Sequence, residues 1–352
     1  MTDVFTRTDQ ISPEWLTGCL CDHGVLPRGH VTALSDHEHV TAHSGVGHVT
    51  VHYSDDAPLT APRRLFLKTG AGDAPDNEDW LAEVNFYTLL APASTPVVVS
   101  CYHAAYAPNP ARFHVLLEDL TTTHQRILWP LPPTLLQFGQ AVDCLAKLHL
   151  LWWDHPRLGR DIQPRFTETT LDGWLPIWER QLVHYLDFLG DRLSTRRRSL
   201  YEWALPRLLE RTLQRRQTGR HLTIAHQDAH AYNFLFPTDP TTQTTRLVDW
   251  ATWDIEVGAR DLAYLIALHC FPEQRAEIEQ PLLRRYHDRL LAGGVRDYGL
   301  EQLWADYRLS VIWNLFIPVE QFYWDVPAAI WWYHAERSVL AFDDLQCGEL
   351  LA

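Results

Sequence analysis

The sequence has no C-x-x-C pair, no uninterrupted apolar run approaching the ~18 residues a membrane span needs, and almost no concentrated basic charge. Each absence removes a class of protein. Six cysteines (Cys19, Cys21, Cys101, Cys144, Cys270 and Cys347) are scattered over 352 residues. That spread argues against a disulfide framework and for a reducing compartment. Cys144 and Cys270 fall in apolar helical patterns and are expected to be buried thiols. The opening "MTDVFTRTDQISPEW" shows no apolar signal segment, so a cytoplasmic location is expected. Acidic residues outnumber basic ones 44 to 30, for a net charge of −14. Such a chain repels polyanions, and its field mildly favours a cationic or neutral small molecule. The only dense basic run, Arg196 to Arg198, reads as the solvated face of a helix. Neither nucleic acid nor membrane is expected as a partner.

What remains is an ordinary globular composition, 46% hydrophobic and 21% charged. "SPEWLTGCL" opens a short helix, with Ser12 as N-cap, Pro13 at the first helical position and Glu14 in the first turn. Alternation follows: Val49, Val51 and Tyr53 interleave with polar residues, and "RRLFLKTG" and "FHVLLEDL" are short apolar runs bounded by turn residues. One helix interrupts them, "NEDWLAEVNFYTLLAP", with Asn77 as its cap. From about Pro133 the pattern turns helical, with Leu136, Ala141, Leu145 and Leu148 along one face. Further helices are expected around 182–193, 200–213, 261–270, 273–291, 300–315 and 328–342. Between 222 and 249, "NFLF" and "RLVDW" read as two short strands joined by the turn-rich "PTDPTTQTT". The coarse expectation is α+β: a small β-rich N-terminal part, residues 1–118, and a large mainly helical part, residues 119–352.

The segment "IAHQDAHAYNFLF" concentrates chemistry. His226, Asp228 and His230 alternate, so on a strand they would share one side and could hold zinc for a hydrolase. Such a site needs further ligands, for which His37, His39 and His43 are candidates. Phosphoryl transfer uses other members. It requires a carboxylate to take the substrate hydroxyl proton, an amide oxygen on a metal ion, and a second carboxylate for the metals at the β- and γ-phosphates. Asp228, Asn233 and Asp249 follow in that order, at offsets of 5 and 21 from Asp228. The hairpin between Asn233 and Asp249 would fold the second aspartate back beside the first. An upstream strand should supply a lysine, and the next helix a glutamate to hold it. Lys68 ends "LFLK", and Glu83 lies 15 residues later, within a helix.

"LFLKTG", "WLAEVNFYTLL", "VLLEDL", "HQDAHAYNFLF…RLVDW" and "GARDLAYL" occur in the order shown by the aminoglycoside phosphotransferase and choline kinase superfamily. The chain resembles that superfamily over roughly residues 31–270, most closely its ecdysteroid-kinase-like branch and bacterial relatives. The resemblance implies a protein-kinase-like two-lobed fold and an ATP- and Mg²⁺-dependent kinase acting on a small-molecule hydroxyl. It implies Asp228 as catalytic base, Asn233 and Asp249 as metal ligands, Lys68 as the phosphate-binding lysine and Glu83 as its partner. A carboxylate is a poor base for an alcohol, so Asp228 would orient the hydroxyl and accept its proton late. The backbone of Glu118 to Leu120 would meet adenine. His226 would prop the loop, and Asp261 would anchor it from the helix behind.

Two positions depart from the superfamily's pattern. Gln227 stands where glycine is usual, and no glycine-rich phosphate loop is present; "AHSGVGHVT" offers Ser44, Gly45 and Gly47 at about the right place. A catalytically silent binding module of the same fold is the alternative from another class. Trp152, Trp153, Trp313, Trp324, Trp331 and Trp332 cluster in the helical part, either as core or as an aromatic wall for an apolar or quaternary-ammonium substrate. Asp154 and Glu320 could supply charge to such a wall.

Overall fold

The computed structural model describes residues 4–40, 45–72, 77–95, 97–165 and 167–352. The chain divides into two units, the first comprising Met1–Arg126 and Leu235–Trp253, the second Ile127–Phe234 and Asp254–Ala352. Where the sequence suggests a single boundary at residues 118 and 119, this grouping adds the segment 235–253 to the first unit. Long-range backbone pairing explains why. Strand β6 (His124–Gln125) pairs with β8 (Phe234–Pro237), which neighbours β9 (Arg246–Leu247). Leu247 N–H donates to Val97 O at 2.9 Å, tying the second arm of the hairpin to the same unit.

The first unit is built on a five-stranded antiparallel sheet in the order β1–β2–β3–β5–β4. Its strands are β1 (Val31–Val40), β2 (Gly45–Tyr53), β3 (Arg64–Ala71), β4 (Cys101–Pro108) and β5 (Ala111–Glu118). Alternation sends Val49, Val51, Leu65, Leu67 and Leu116 into one core with Leu16 and Leu20 of α1 (Pro13–Asp22). That helix begins as expected, with Ser12 Oγ accepting from Trp15 N. Because side chains alternate along a strand, Lys68 leaves β3 on the face opposite Leu67. Helix α2 (Glu78–Asn85), capped by Asn77, continues into a π-helical turn, Phe86–Leu90. Trp80 of α2 stacks on Phe113 of β5 at 5.2 Å. Gly70 makes room for this pair, since a Cβ there would lie 2.6 Å from Phe113 and 2.7 Å from Trp80.

The second unit is mainly helical: α3 (Leu135–Trp152), α4 (Glu168–Leu189), α5 (Thr195–Gln217), α6 (Ala259–Ala263), α7 (Pro272–Ala292), α8 (Leu300–Asn314), α9 (Ile317–Tyr323) and α10 (Ala328–Asp344). Strand β7 (Thr223–Ala225) pairs with β10 (Asp254–Glu256). Helix α3 starts not at Pro133 but after Thr134, which forms a capping box with Gln137; Leu136 is exposed rather than part of the buried face. Helix α9 has no counterpart in the periodicity. The arginine run is on α5, but it is not merely solvated: Arg196 pairs with Asp343 and Arg197 with Glu336, tying α5 to α10. Cys144 and Cys270 are buried, and the six cysteines are free thiols. Of the tryptophans, Trp152 and Trp331 are core and Trp324 is exposed. Asp154 Oδ1 accepts from Leu222 N, which assigns it to a turn. Among the described residues, no helix is long and apolar enough to cross a membrane.

Candidate active site

In the first unit, Lys68, Glu83 and Asp249 meet. Lys68 Nζ donates to Glu83 Oε2 at 2.7 Å, to Glu83 Oε1 at 2.9 Å and to Asp249 Oδ1 at 2.8 Å. Burial would make the Lys68 ammonium easier to deprotonate, but the two carboxylates outweigh it and raise its pKa. Glu83 is only 1% exposed, and burial raises its pKa against the pull of Lys68. The helix that carries Glu83 is clamped from the "RLVDW" side. Trp250 stacks on Phe86 with ring centroids 3.7 Å apart, and Trp253 Nε1 donates to Ala82 O at 2.8 Å. Asp249 itself sits at φ +72°, a left-handed conformation that a non-glycine residue adopts at a cost of order 1–3 kcal/mol. Its side chain is 48% exposed, so the carboxylate that meets Lys68 also reaches solution.

The strand end at Glu118 to Leu120 is partly committed. Glu118 N–H donates to Ser100 O and Asp119 N–H to Arg64 O, while the Asp119 carboxylate holds Thr121, His48 and Arg64. Leu120 N–H donates to no described residue, which makes it the N–H of this segment with capacity for a ligand. Gly45 opens β2, paired with Val40 and Thr69, and a Cβ there would lie 2.5 Å from Thr69 Oγ1. Ser44 lies outside the described residues.

In the second unit, Asp228 and Asn233 meet. Asn233 Nδ2 donates to Asp228 O at 2.9 Å and to Asp228 Oδ2 at 3.1 Å. That leaves carbonyl Oδ1 as the Asn233 atom suited to a cation. His226 Nδ1 accepts from Asp228 N at 3.2 Å, the propping contact the resemblance implies. His230 Nε2 lies 3.5 Å from Asp228 Oδ2, and burial, with the nearby Asp228 carboxylate, raises the pKa of the Tyr264 phenol. Among the described residues, no group of three His, Cys, Asp or Glu is arranged to hold a metal, so the His226–Asp228–His230 zinc arrangement does not form.

Behind the loop sits Asp261, fully buried on α6. Its carboxylate accepts from the N–H groups of His226 and Gln227, both at 2.8 Å, and from His149 Nε2 at 3.2 Å. Burial alone would raise its pKa; the hydrogen bond and charge of His149, with the loop N–H groups, lower it instead. His149 is held in turn by the Tyr286 hydroxyl at 2.8 Å. A Cβ on Gly258 would collide with both His149 and Tyr286, so this glycine clears the space for the anchor.

Gln227 now has a physical reading. It sits at φ +64°, the left-handed region, so that two successive N–H groups converge on one carboxylate. Glycine adopts this conformation freely, which explains the superfamily's preference, and glutamine adopts it with strain. Gln227→Gly should leave stability within roughly 1 kcal/mol of wild type, strain relief offsetting lost chain entropy. Gln227→Val should destabilise by about 1–2 kcal/mol or more, as a β-branched residue tolerates this region worst. Denaturant midpoints of the two variants check both expectations.

The sequence points to Asp228, Asn233, Asp249, Lys68, Glu83, His226 and Asp261, and the structure groups these within their units as described. His149, Tyr286 and Tyr264 were missed. His149 and Tyr264 lie in apolar helical stretches and Tyr286 in a charged one, and neither pattern identifies partners of Asp261 or Asp228.

Compared with solved structures, the chain is similar to choline kinase from Cryptosporidium parvum Iowa II, at 12% identity and a TM-score of 0.56 over 90% of this chain and 89% of that one. It is similar to the microcompartment-associated aminopropanol kinase, at 14% identity and a TM-score of 0.52 over 97% and 100%. It also resembles a spectinomycin phosphotransferase solved with ADP and spectinomycin, at 11% identity and a TM-score of 0.50 over 96% and 99%. At such identities the likeness defines the fold, which is the kinase-like α+β architecture of the aminoglycoside phosphotransferase and choline kinase superfamily. The ecdysteroid kinase-like family profile matches residues 81–295, and the chain belongs to that family. No curated protein matches it in sequence.

Proposed function

We propose that the protein is an ATP- and Mg²⁺-dependent kinase that transfers the γ-phosphoryl group to a hydroxyl of a small acceptor. The observation that carries this reading is the triad of Lys68, Glu83 and Asp249. A strand lysine gripped by a buried helix glutamate and a half-exposed aspartate is an arrangement suited to phosphates and their counter-ions. Lys68 would neutralise the α/β-phosphates, with Glu83 fixing its position. Leu120 N–H, with the Glu118 backbone, would meet adenine, and Ser44 and Gly45 lie in the stretch proposed to cover the phosphates. Asn233, through Oδ1, and Asp249 are each proposed as ligands of Mg²⁺, which when bound neutralises charge on the phosphoryl oxygens. Asp228 would orient the acceptor hydroxyl. As the alcohol oxygen bonds to the γ-phosphorus, the bond to the ADP oxygen breaks, and the alcohol proton passes to the Asp228 carboxylate.

A coupled ADP-release assay over a panel of alcohols tests this. ADP release should require both an alcohol and Mg²⁺, vanish with EDTA, and fall on the order of 10²-fold in kcat/KM for Lys68→Met. Release that survives EDTA and is unchanged in Lys68→Met would contradict the reading.

A further inference from the structure

Beside Asp228 the second unit gathers three histidine rings in a file. His230, beside Asp228, has its ring 5.8 Å from that of His269, which is 4.8 Å from that of His334 on α10. The π-helical turn Tyr264–Leu268 leads into this file and ends at His269. Extra residues of this kind in a helix recur at functional sites. His269 Nδ1 faces Tyr264 O at 2.8 Å and His334 Nδ1 faces Gln321 Oε1 at 2.9 Å. Both facing atoms are acceptors, so each Nδ1 carries the hydrogen and each Nε2 keeps a lone pair. Burial, together with neighbouring positive groups, lowers the pKa of both rings, that of His334 to about 3. They are neutral hydrogen-bond acceptors at neutral pH.

One turn beyond His334 on α10 is Arg337. Its guanidinium lies 4.0 Å from the Phe271 ring centroid and 5.8 Å from that of Tyr333. Its Nε is buried with no hydrogen-bond partner, as is His230 Nδ1. Several arginines of this unit find carboxylates, as Arg215 holds Asp306, Arg216 holds Glu256 and Arg275 holds Asp344, and the buried Arg260 meets Ser310 O and the Trp313 ring. Among the described residues, none supplies a carboxylate to Arg337. Glu320, the other acid near this file, acts on Tyr264 and Arg260. An oriented guanidinium, held by aromatic rings and lacking an anion, matches the planar, two-oxygen geometry of carboxylate and phosphate.

We propose that the acceptor is an anionic alcohol, whose carboxylate or phosphate group is taken by Arg337 and whose further hydroxyls donate to Nε2 of His269 and His334. This rests on the kinase reading for its reaction but not for its binding. The cationic and apolar acceptors left open by composition would lack a partner for Arg337.

The binding arm uses no nucleotide. Acetate, inorganic phosphate and tetramethylammonium are titrated separately into the full-length protein, with the Arg337 Nε–H and histidine ring signals followed by ¹⁵N NMR. Acetate or phosphate should give saturable shifts, and the stronger of the two names the anion. Arg337→Gln should weaken this binding at least roughly tenfold, with Arg337→Lys intermediate. No saturable shift with either anion, or shifts with tetramethylammonium alone, would overturn the proposal. The turnover arm compares ω-hydroxy acids of graded length with the matching diols and with choline. The acids should exceed the diols at least tenfold in kcat/KM, through KM, and Arg337→Gln should bring that ratio near one. Equal use of acid and diol, or preference for choline, would also overturn it. Anion binding lost in Arg337→Gln, with no alcohol releasing ADP, would support the subsite and count against the kinase reading alone.

Discussion

Asp228→Asn should lower acceptor phosphorylation by a factor on the order of 10²–10⁴, with ATP affinity and thermal stability unchanged. The size follows from the role: the amide has the shape of the carboxylate but cannot take the alcohol proton. The selectivity follows from the structure, because the loop is held mainly by the backbone of residue 228. Its N–H donates to His226 Nδ1, and its carbonyl accepts from His230 N and Asn233 Nδ2. None of these contacts depends on the side chain. Rates of ADP release, nucleotide titrations and melting curves on the one variant therefore separate chemistry from folding. Normal turnover in this variant would remove Asp228 from the reaction.

The second large effect is on stability. Asp261→Ala should destabilise the protein by about 3–5 kcal/mol, the range seen when one partner of a buried charged network is removed. Three donors lose their acceptor at once: the N–H groups of His226 and Gln227 and the ring of His149. With them goes the reason for the left-handed turn at Gln227, so activity should fall as well. The pH dependence has a definite sign. Because the folded-state pKa of Asp261 is depressed, its contribution is fully present above the unfolded value of ~3.9 and is lost as pH falls through the folded one. The gap between wild type and Asp261→Ala should therefore be constant between about pH 5 and 7 and narrow below about pH 4. Denaturant melts of both proteins across that range check it.

Local rules made much of this molecule readable. Ser12 and Asn77 cap the helices they were expected to cap, Val49 and Val51 face a core, and the ordered motifs implied the kinase-like fold. Lys68 and Glu83 were legible as a pair because phosphoryl transfer calls for a strand lysine held by a glutamate of the next helix, although Lys68 lies within β3 and not at its end. Other features depend on partners distant in sequence. Asp261 meets His149 across 112 positions, and β6 pairs across more than a hundred residues with β8. No periodicity encodes either contact. Gln227 was visible as a departure, but its meaning lay in a backbone angle that only the folded turn reveals. The arginines of α5 looked like solvated charge because their carboxylates lie on α10. Arg337 drew no attention for the opposite reason: its interest is a missing partner.

Transfer of label from [γ-³²P]ATP tests the central claim most directly. With Mg²⁺ and an accepted alcohol, wild type should place the label in a phosphomonoester of that alcohol, one for each ADP formed. Asp228→Asn should bind ATP and yield almost none. Label found only as inorganic phosphate, or equal transfer by wild type and Asp228→Asn, would contradict the account.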